Sequence, residues 1–460
     1  MSIVFRKHND SIDMLNGSLA DKILLYALPL MFGGMLQQLF NAADIAVVGK
    51  FVGKEAMAAV GSNGALVNLI VNMFIGISIG ANVVIASEIG RGHKEAIRKA
   101  VHTSIVLAFI CGIILLFLGQ VLAPAILSLM SVPEEVFPLA VRYLRIYFIG
   151  MPAIVLFNYE SAILRSVGDT TTPLKALAIA GVINVALNIF LVAVCHLSVA
   201  GVAIATAVSN LISSLFLMDR LTKTDSAVKL DLKELRLDPR SVKRMLSIGI
   251  PSGVQGMAFS ISNVAIQSSI NSLGTTVMAG SSASISVEAL TYFVINSFGQ
   301  ACTTFTGQNY GAMKAERCRK ALVYCILLDY LLTGATAAVL LPGGRFILSF
   351  FNSEPAVIEV GLVRMRYMYF CYLFSILMEC SSGYLRGFGI SLAPSVICML
   401  GTCGIRILWI FTVFRALPTF PVLLQSYTVS LLITDVVLGI AILLLRPSQR
   451  AVRKAPAPGQ

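Results

Sequence analysis

Gln37, Asn41 and Asp44 follow one another at spacings of four and three residues, so a helix places all three on one face. Asp44 is the lone charge between Lys22 and Lys50. A carboxyl group in such an apolar run is costly to leave against hydrocarbon and is by default functional. Out of bulk water it either holds a proton, or as carboxylate shares Na⁺ with amide and carbonyl oxygens, or ties two helices together by a hydrogen bond. Asn184 and Asn188 lie one turn apart in a later run, and Thr206 in the next. Amides and a hydroxyl suit a carboxylate that changes ligands, and they serve equally well as bonds between helices.

Further polar residues interrupt other apolar runs. Asn158 and Glu160 are two residues apart, hence on different faces, with Arg165 as a nearby partner for the acid. Gln255, Asn263 and Gln267 share a face, and Glu288, Tyr292, Asn296 and Gln300 form a stripe at four-residue steps that corresponds to Asn68 and Asn72 in the first half. Glu379 stands alone. With Glu288 it is a candidate to attract a cation into a cavity, whereas Asp329 and Asp435 read as structural, with Arg406 as a partner for one of them. The expected cavity set is thus Gln37, Asn41, Asn68, Asn72, Asn158, Glu160, Gln255, Asn263, Gln267, Glu288, Tyr292, Asn296 and Glu379. The nine Cys form no CxxC pair and the four His are scattered, so no metal site is expected beyond a transported Na⁺ at Asp44, and no cofactor.

The elements that must hold these residues follow from composition. Of 460 residues, 57% are hydrophobic and 13% charged, and mean hydropathy is +0.84. Soluble domains carry about 25% charged residues. A water-soluble globule, a disordered chain and a disulfide-stapled secreted domain are excluded, and an all-α polytopic membrane protein remains. Apolar runs bounded by Gly, Pro and charge predict twelve spans, near 22–48, 56–86, 101–123, 137–164, 174–195, 199–218, 245–271, 277–306, 321–341, 356–385, 393–414 and 422–445. The net charge of +12 lies in the gaps between runs, which points away from nucleic acid. With the N-terminus inside, inner segments hold 26 Lys and Arg and outer ones 8, the latter including Arg364 and Arg366. This bias puts both termini in the cytoplasm.

The two halves repeat. Ala27-Leu28-Pro29 recurs as Gly249-Ile250-Pro251, and Asn41 as Asn263. Arg98-Lys99-Ala100 recurs as Arg319-Lys320-Ala321, Leu164-Arg165-x-x-Gly168 as Leu385-Arg386-x-x-Gly389, and Pro173 as Pro394. Six spans per half make both copies face the same way, which predicts two six-helix bundles related by a pseudo-twofold axis along the membrane normal, with a cavity between them. The expected organisation is a cytoplasmic segment 1–21, an N-lobe 22–218, a charged cytoplasmic linker 219–244 whose basic excess suits contact with anionic membrane lipid, a C-lobe 245–445 and a disordered Pro-rich tail 446–460. Gly33-Gly34, Gly61, Gly64 and Gly76-x-x-x-Gly80 read as sites of close helix packing.

The run Pro29 … Phe40-Asn41-Ala42-Ala43-Asp44 … Gly49 … Gly53 … Ala59-Val60-Gly61 resembles the first-helix signature of the multidrug and toxic compound extrusion (MATE) transporters. Leu164-Arg165-Ser166-Val167-Gly168-Asp169 resembles the end of that family's fourth helix, and Gly307-Gln308-Asn309-Tyr310-Gly311-Ala312 the loop after its eighth. The resemblance covers about Gly17 to Leu445. It implies an antiporter of the bacterial inner membrane that expels organic, usually cationic, compounds in exchange for H⁺ or Na⁺, and nothing in the sequence demands more than a monomer. It also implies a V-shaped pair of lobes that rock between two states. The family's first-helix coupling acid matches Asp44, and its helix 5 and 6 positions read Asn184, Asn188 and Thr206 here, an amide standing where relatives have a second acid. A lipid-linked precursor flippase of the same superfamily is the alternative, disfavoured because Arg406 alone among basic residues lies deep in a span. No Ser/His, paired metal-ligand or HExxH pattern supports an intramembrane enzyme.

Overall fold

A computed structural model describes residues 11–130 and 132–448. Among them every regular element is a helix, with no strand. The helices are α1 (Ala20–Phe51), α2 (Lys54–Arg91), α3 (Lys94–Leu129), α4 (Phe137–Ile149 and Met151–Ser166), α5 (Thr171–Ile189), α6 (Ser198–Lys223), α7 (Pro239–Asn271), α8 (Thr275–Gly311), α9 (Ala315–Leu340), α10 (Pro355–Gly387), α11 (beginning Leu392–Cys398 and running to Phe414) and α12 (Phe420–Leu445). Ten are long and apolar enough to cross a membrane, and the two parts of α4, bent by 47°, make an eleventh crossing. The twelfth, α7, spans 33 residues and is diluted in hydropathy by Ser, Gly and Gln along its length. The chain is therefore an all-α, multi-pass membrane protein of twelve helices in two six-helix lobes. The Pro-rich tail expected to be disordered falls largely on 449–460, outside the described residues.

Local chemistry sets the ends of these helices. Gly92 terminates α2 at φ 73°, a left-handed conformation that glycine adopts without a Cβ clash. Asp238 caps α7, accepting from the Ser241 hydroxyl at 2.7 Å and the Ser241 N–H at 2.8 Å. Those two bonds hold its carboxyl below the usual carboxylate range. The α4 bend falls at Gly150 with Pro152 just beyond it, and the π-helical turns Phe190–Val194, Met399–Gly404 and Ile410–Phe414 end α5 and interrupt α11. One uninterrupted run was expected at each place, because hydropathy is blind to such breaks.

The lobes touch along α2 and α7, backbone against backbone. A Cβ built on Gly253 would meet the Met73 carbonyl at 2.5 Å, one on Gly249 the Ile77 carbonyl at 2.5 Å, and one on Gly80 would overlap the Met245 carbonyl. In a bilayer, such small-residue contact is what draws helices together, since lipid is as apolar as the side chains. The contact continues to Gly90 against Gln308 and Gly311 against Ser87, so the two lobes are closed on each other at this end. At the other end Asn68, Asn263 and Tyr292 are exposed, and Gly61, Gly64 and Gly274 face open space. Gly249→Val is expected to destabilise the fold by about 1–3 kcal/mol through overpacking. Thermal unfolding of purified protein checks it, and Gly274→Ala, strained at φ 100° but free of contact, separates backbone strain from wedging.

Candidate cation site and cleft

Phe40 of α1 packs directly on Gly181 of α5, where any Cβ would overlap its ring. That close approach brings the next turn of α1 to the next turns of α5. Asp44, 9% exposed, there accepts a 2.5 Å bond from Asn188 Nδ2 and a 3.4 Å bond from the Thr206 hydroxyl of α6. Asn188 Nδ2 also reaches Asn184 Oδ1 at 3.1 Å, and Asn184 Nδ2 lies 3.5 Å from both Thr206 Oγ1 and Ser209 Oγ. Asp44, Asn184, Asn188 and Thr206 thus form one buried cluster, to which Ser209, one turn beyond Thr206, is an addition not foreseen from sequence. Every partner of the carboxyl group is neutral. Asn188 Oδ1, buried, has no hydrogen-bond partner.

The chemistry available is a choice of state. As carboxylate, Asp44 accepts from an amide and a hydroxyl. With a proton it becomes a donor, for which the idle Asn188 Oδ1 is a suitable acceptor once the amide turns. With Na⁺ instead, the same oxygen and the Asp44 carboxylate are ligands of the hard type that ion takes. No arginine or lysine competes for the carboxylate among the described ion pairs.

The remaining candidates are distributed. Gln37, Asn41, Asn68 and Asn263 are exposed, and Tyr292 is 50% exposed. Asn72 reaches across to Ser260 of α7 at 3.4 Å. Gln300 Nε2 donates to Asn296 Oδ1 at 2.6 Å, continuing the α8 stripe, while Gln255 accepts from Arg386 at 3.3 Å. Asn158 bonds back to the Ile154 carbonyl and Gln267 to Asn271. Glu160 is fully buried, with neither oxygen bonded, and Glu379 packs tightly on Gly299.

Glu288 is held in a buried ion pair with Arg364, N···O 3.1 Å, backed by the Ser284 hydroxyl at 2.6 Å and by Ser281 on the arginine. Arg364, counted with the outer flanks by the sequence tally, lies inside α10 and is 4% exposed. Arg406 does not meet Asp329 or Asp435. It stacks on the Tyr427 ring at 4.3 Å and donates to Ser430, an aromatic face serving the buried guanidinium in place of a carboxylate. Asp329 accepts from Thr333 at 3.0 Å, and Asp435 has no partner for either buried oxygen.

Comparison with known proteins follows the same outline. The MatE family pattern matches residues 29–190 and again 251–412, one copy in each half. Among curated proteins, the Bacillus subtilis probable multidrug resistance protein YoeA is 27% identical over 83% of this chain and 84% of its own length. The Thermotoga maritima probable multidrug resistance protein NorM is 26% identical over 84% of each. Among solved structures, a multidrug resistance MATE family transporter of the MOP superfamily in an outward-facing conformation superposes with TM-score 0.88 at 23% identity, over 98% of this chain and all of the other.

Proposed function

The chain belongs to the MatE family of transporters, and we propose that it exports small organic, chiefly cationic, compounds in exchange for H⁺ or Na⁺ bound at Asp44. Its relatives named as multidrug resistance proteins support export of drugs rather than an enzymatic reaction. The observation that carries the coupling is the buried Asp44 cluster: a carboxyl group with two neutral donors, an idle amide oxygen and, among the described residues, no ion-pair partner.

The basic flanks gather at the closed end, with Arg91, Lys94, Lys314 and Arg317 among them, so that end faces the cytoplasm of a bacterial inner membrane. The arrangement then corresponds to the outward-open member of a two-state cycle. Asp44 in its unloaded form holds α1 to α5 and α6 through Asn188 and Thr206. A cation arriving from outside changes donor for acceptor in that cluster and alters how α1 packs. A ligand moves such an equilibrium only by as much as its affinities for the two states differ. Cation and substrate therefore favour opposite states, and exchange follows.

The test is ethidium transport in proteoliposomes, with H⁺ and Na⁺ gradients imposed separately. Transport under one gradient names the ion. Transport under neither, by folded protein, overturns the antiport reading.

A further inference from the structure

Two motifs that the Asp44 cluster does not use, Leu164–Asp169 and Gly307–Ala312, meet at the closed end. Gln308 Nε2 donates to the Ser166 carbonyl at 2.6 Å, and Arg165 donates to Gln300 at 3.0 Å, both across the lobe boundary. The chain before α1 joins them there. Ile12 N–H lies 3.4 Å from the Gly168 carbonyl of the N-lobe, and a Cβ on Gly168 would strike Ile12.

Two to five residues on, the same segment is held by the C-lobe. The Met14 carbonyl accepts from Asn309 and from Arg317, each at 3.2 Å, the Leu15 carbonyl from Lys314 at 2.9 Å, and the Gly17 carbonyl from Arg317 at 2.9 Å. Met14 and Leu19 are buried in one apolar cluster with Phe305, Cys318 and Phe388. The stretch before α7 does the reciprocal thing. It lies on the N-lobe, with the Asp238 N–H donating to Thr103 and the Asp231 N–H to His102, and just inside α7 Arg244 donates to Glu88 at 2.5 Å. Each lobe's leading segment is thus fastened to the other lobe.

We propose that residues 12–17 are a latch for the cytoplasmic gate, with Arg317 and Lys314 as its catch. The segment touches the N-lobe at Gly168 and is gripped by the C-lobe two to five residues later, so the lobes cannot part at this end while both contacts hold. Its grip uses cationic donors on backbone carbonyls, bonds stronger than neutral ones yet exchangeable for water when the gate opens. Lys314 and Arg317 are partly accessible at the surface, so the catch is releasable without unfolding the lobe. This inference rests on the two-state cycle proposed above, and its test reads conformation rather than transport.

Spin labels at Lys94 and Lys320, both exposed, report the separation of the lobes at this end, with Cys111 and Cys195 replaced by Ser because the other seven cysteines are buried. Without substrate or gradient, the doubly substituted Lys314→Ala/Arg317→Ala chain is expected to show about tenfold more of the long-distance population than the unsubstituted catch. Lys314→Ala alone, a change of one surface side chain, gives a smaller shift in the same direction. Glu316→Ala, exposed on the same turn and outside the grip, leaves the distribution unchanged. An unaltered distribution in both catch variants, or an equal shift in Glu316→Ala, overturns the latch. A distance shift in protein that carries no gradient-driven ethidium leaves the latch standing and removes the antiport reading instead.

Discussion

Asp44→Asn is expected to lower gradient-driven efflux at least about tenfold, equivalent to ~1.4 kcal/mol or more in the coupled step. The change is small in shape, and the new amide still offers Asn188 an acceptor. Packing of Phe40 on Gly181 is untouched. What is lost is the ability to exist in two charge states. Substrate binding, measured by fluorescence of the purified protein, is expected to change little, and exchange of labelled for unlabelled substrate across the membrane continues without a gradient. Loss of coupling with retained binding and exchange is the signature of an ion-carrying residue. A merely structural Asp44 predicts the opposite pattern, with binding, exchange and thermal stability falling together. Full gradient-driven efflux in the variant sinks the assignment outright.

Arg364→Met is expected to destabilise the protein by about 3–5 kcal/mol, the effect of leaving one charge of a buried pair without its partner. Both side chains are nearly inaccessible, at 5% and 6%, so little solvent is present to screen the survivor. Glu288 would keep only the Ser284 hydroxyl as a side-chain partner. Replacing both residues, as Glu288→Met with Arg364→Met, is expected to recover most of the loss, since an apolar pair of similar volume has no charge to desolvate. Apparent melting temperatures in one detergent at one scan rate check the ordering, the single variant well below the double. Equal stability of wild type and Arg364→Met would mean that Glu288 has access to water or a proton, and would return it to the cleft as a free acid.

The contrast between these two acids marks what is legible in a sequence. Asp44 stands out in the sequence because an acid without neighbours in a long apolar run has few explanations, and the amides that meet it, four residues apart in the fifth span, share one helix face. The twelve crossings were legible for the same reason, apolar length being a property of each segment alone. Glu288 was not legible as a paired group, because Arg364 lies 76 residues away near the start of another span, where position suggests a flank. Arg406 was matched with acids because charge seeks charge, whereas the fold supplies Tyr427 and Ser430. Gly76 and Gly80 announced close packing without naming the helix they meet. Pairings between distant segments depend on the rotation of each helix about its axis, and no local pattern sets that rotation when apolar residues surround it on all sides.

The fastening of α1 to the C-lobe also constrains how the protein is made. Tyr26, fully buried, donates its hydroxyl to Thr304, 278 residues further along the chain. At synthesis rates of about 5–20 residues per second, the first helix waits roughly 15–55 s for the residues that cover it. During that interval its inner face must be sheltered by lipid, by the insertion machinery or by a temporary neighbour. The N-terminal half expressed by itself is therefore expected to be insertion-competent yet short-lived, and rescued when the C-terminal half is supplied on a second chain. Birth order and burial order run opposite to each other at the first helix of this protein.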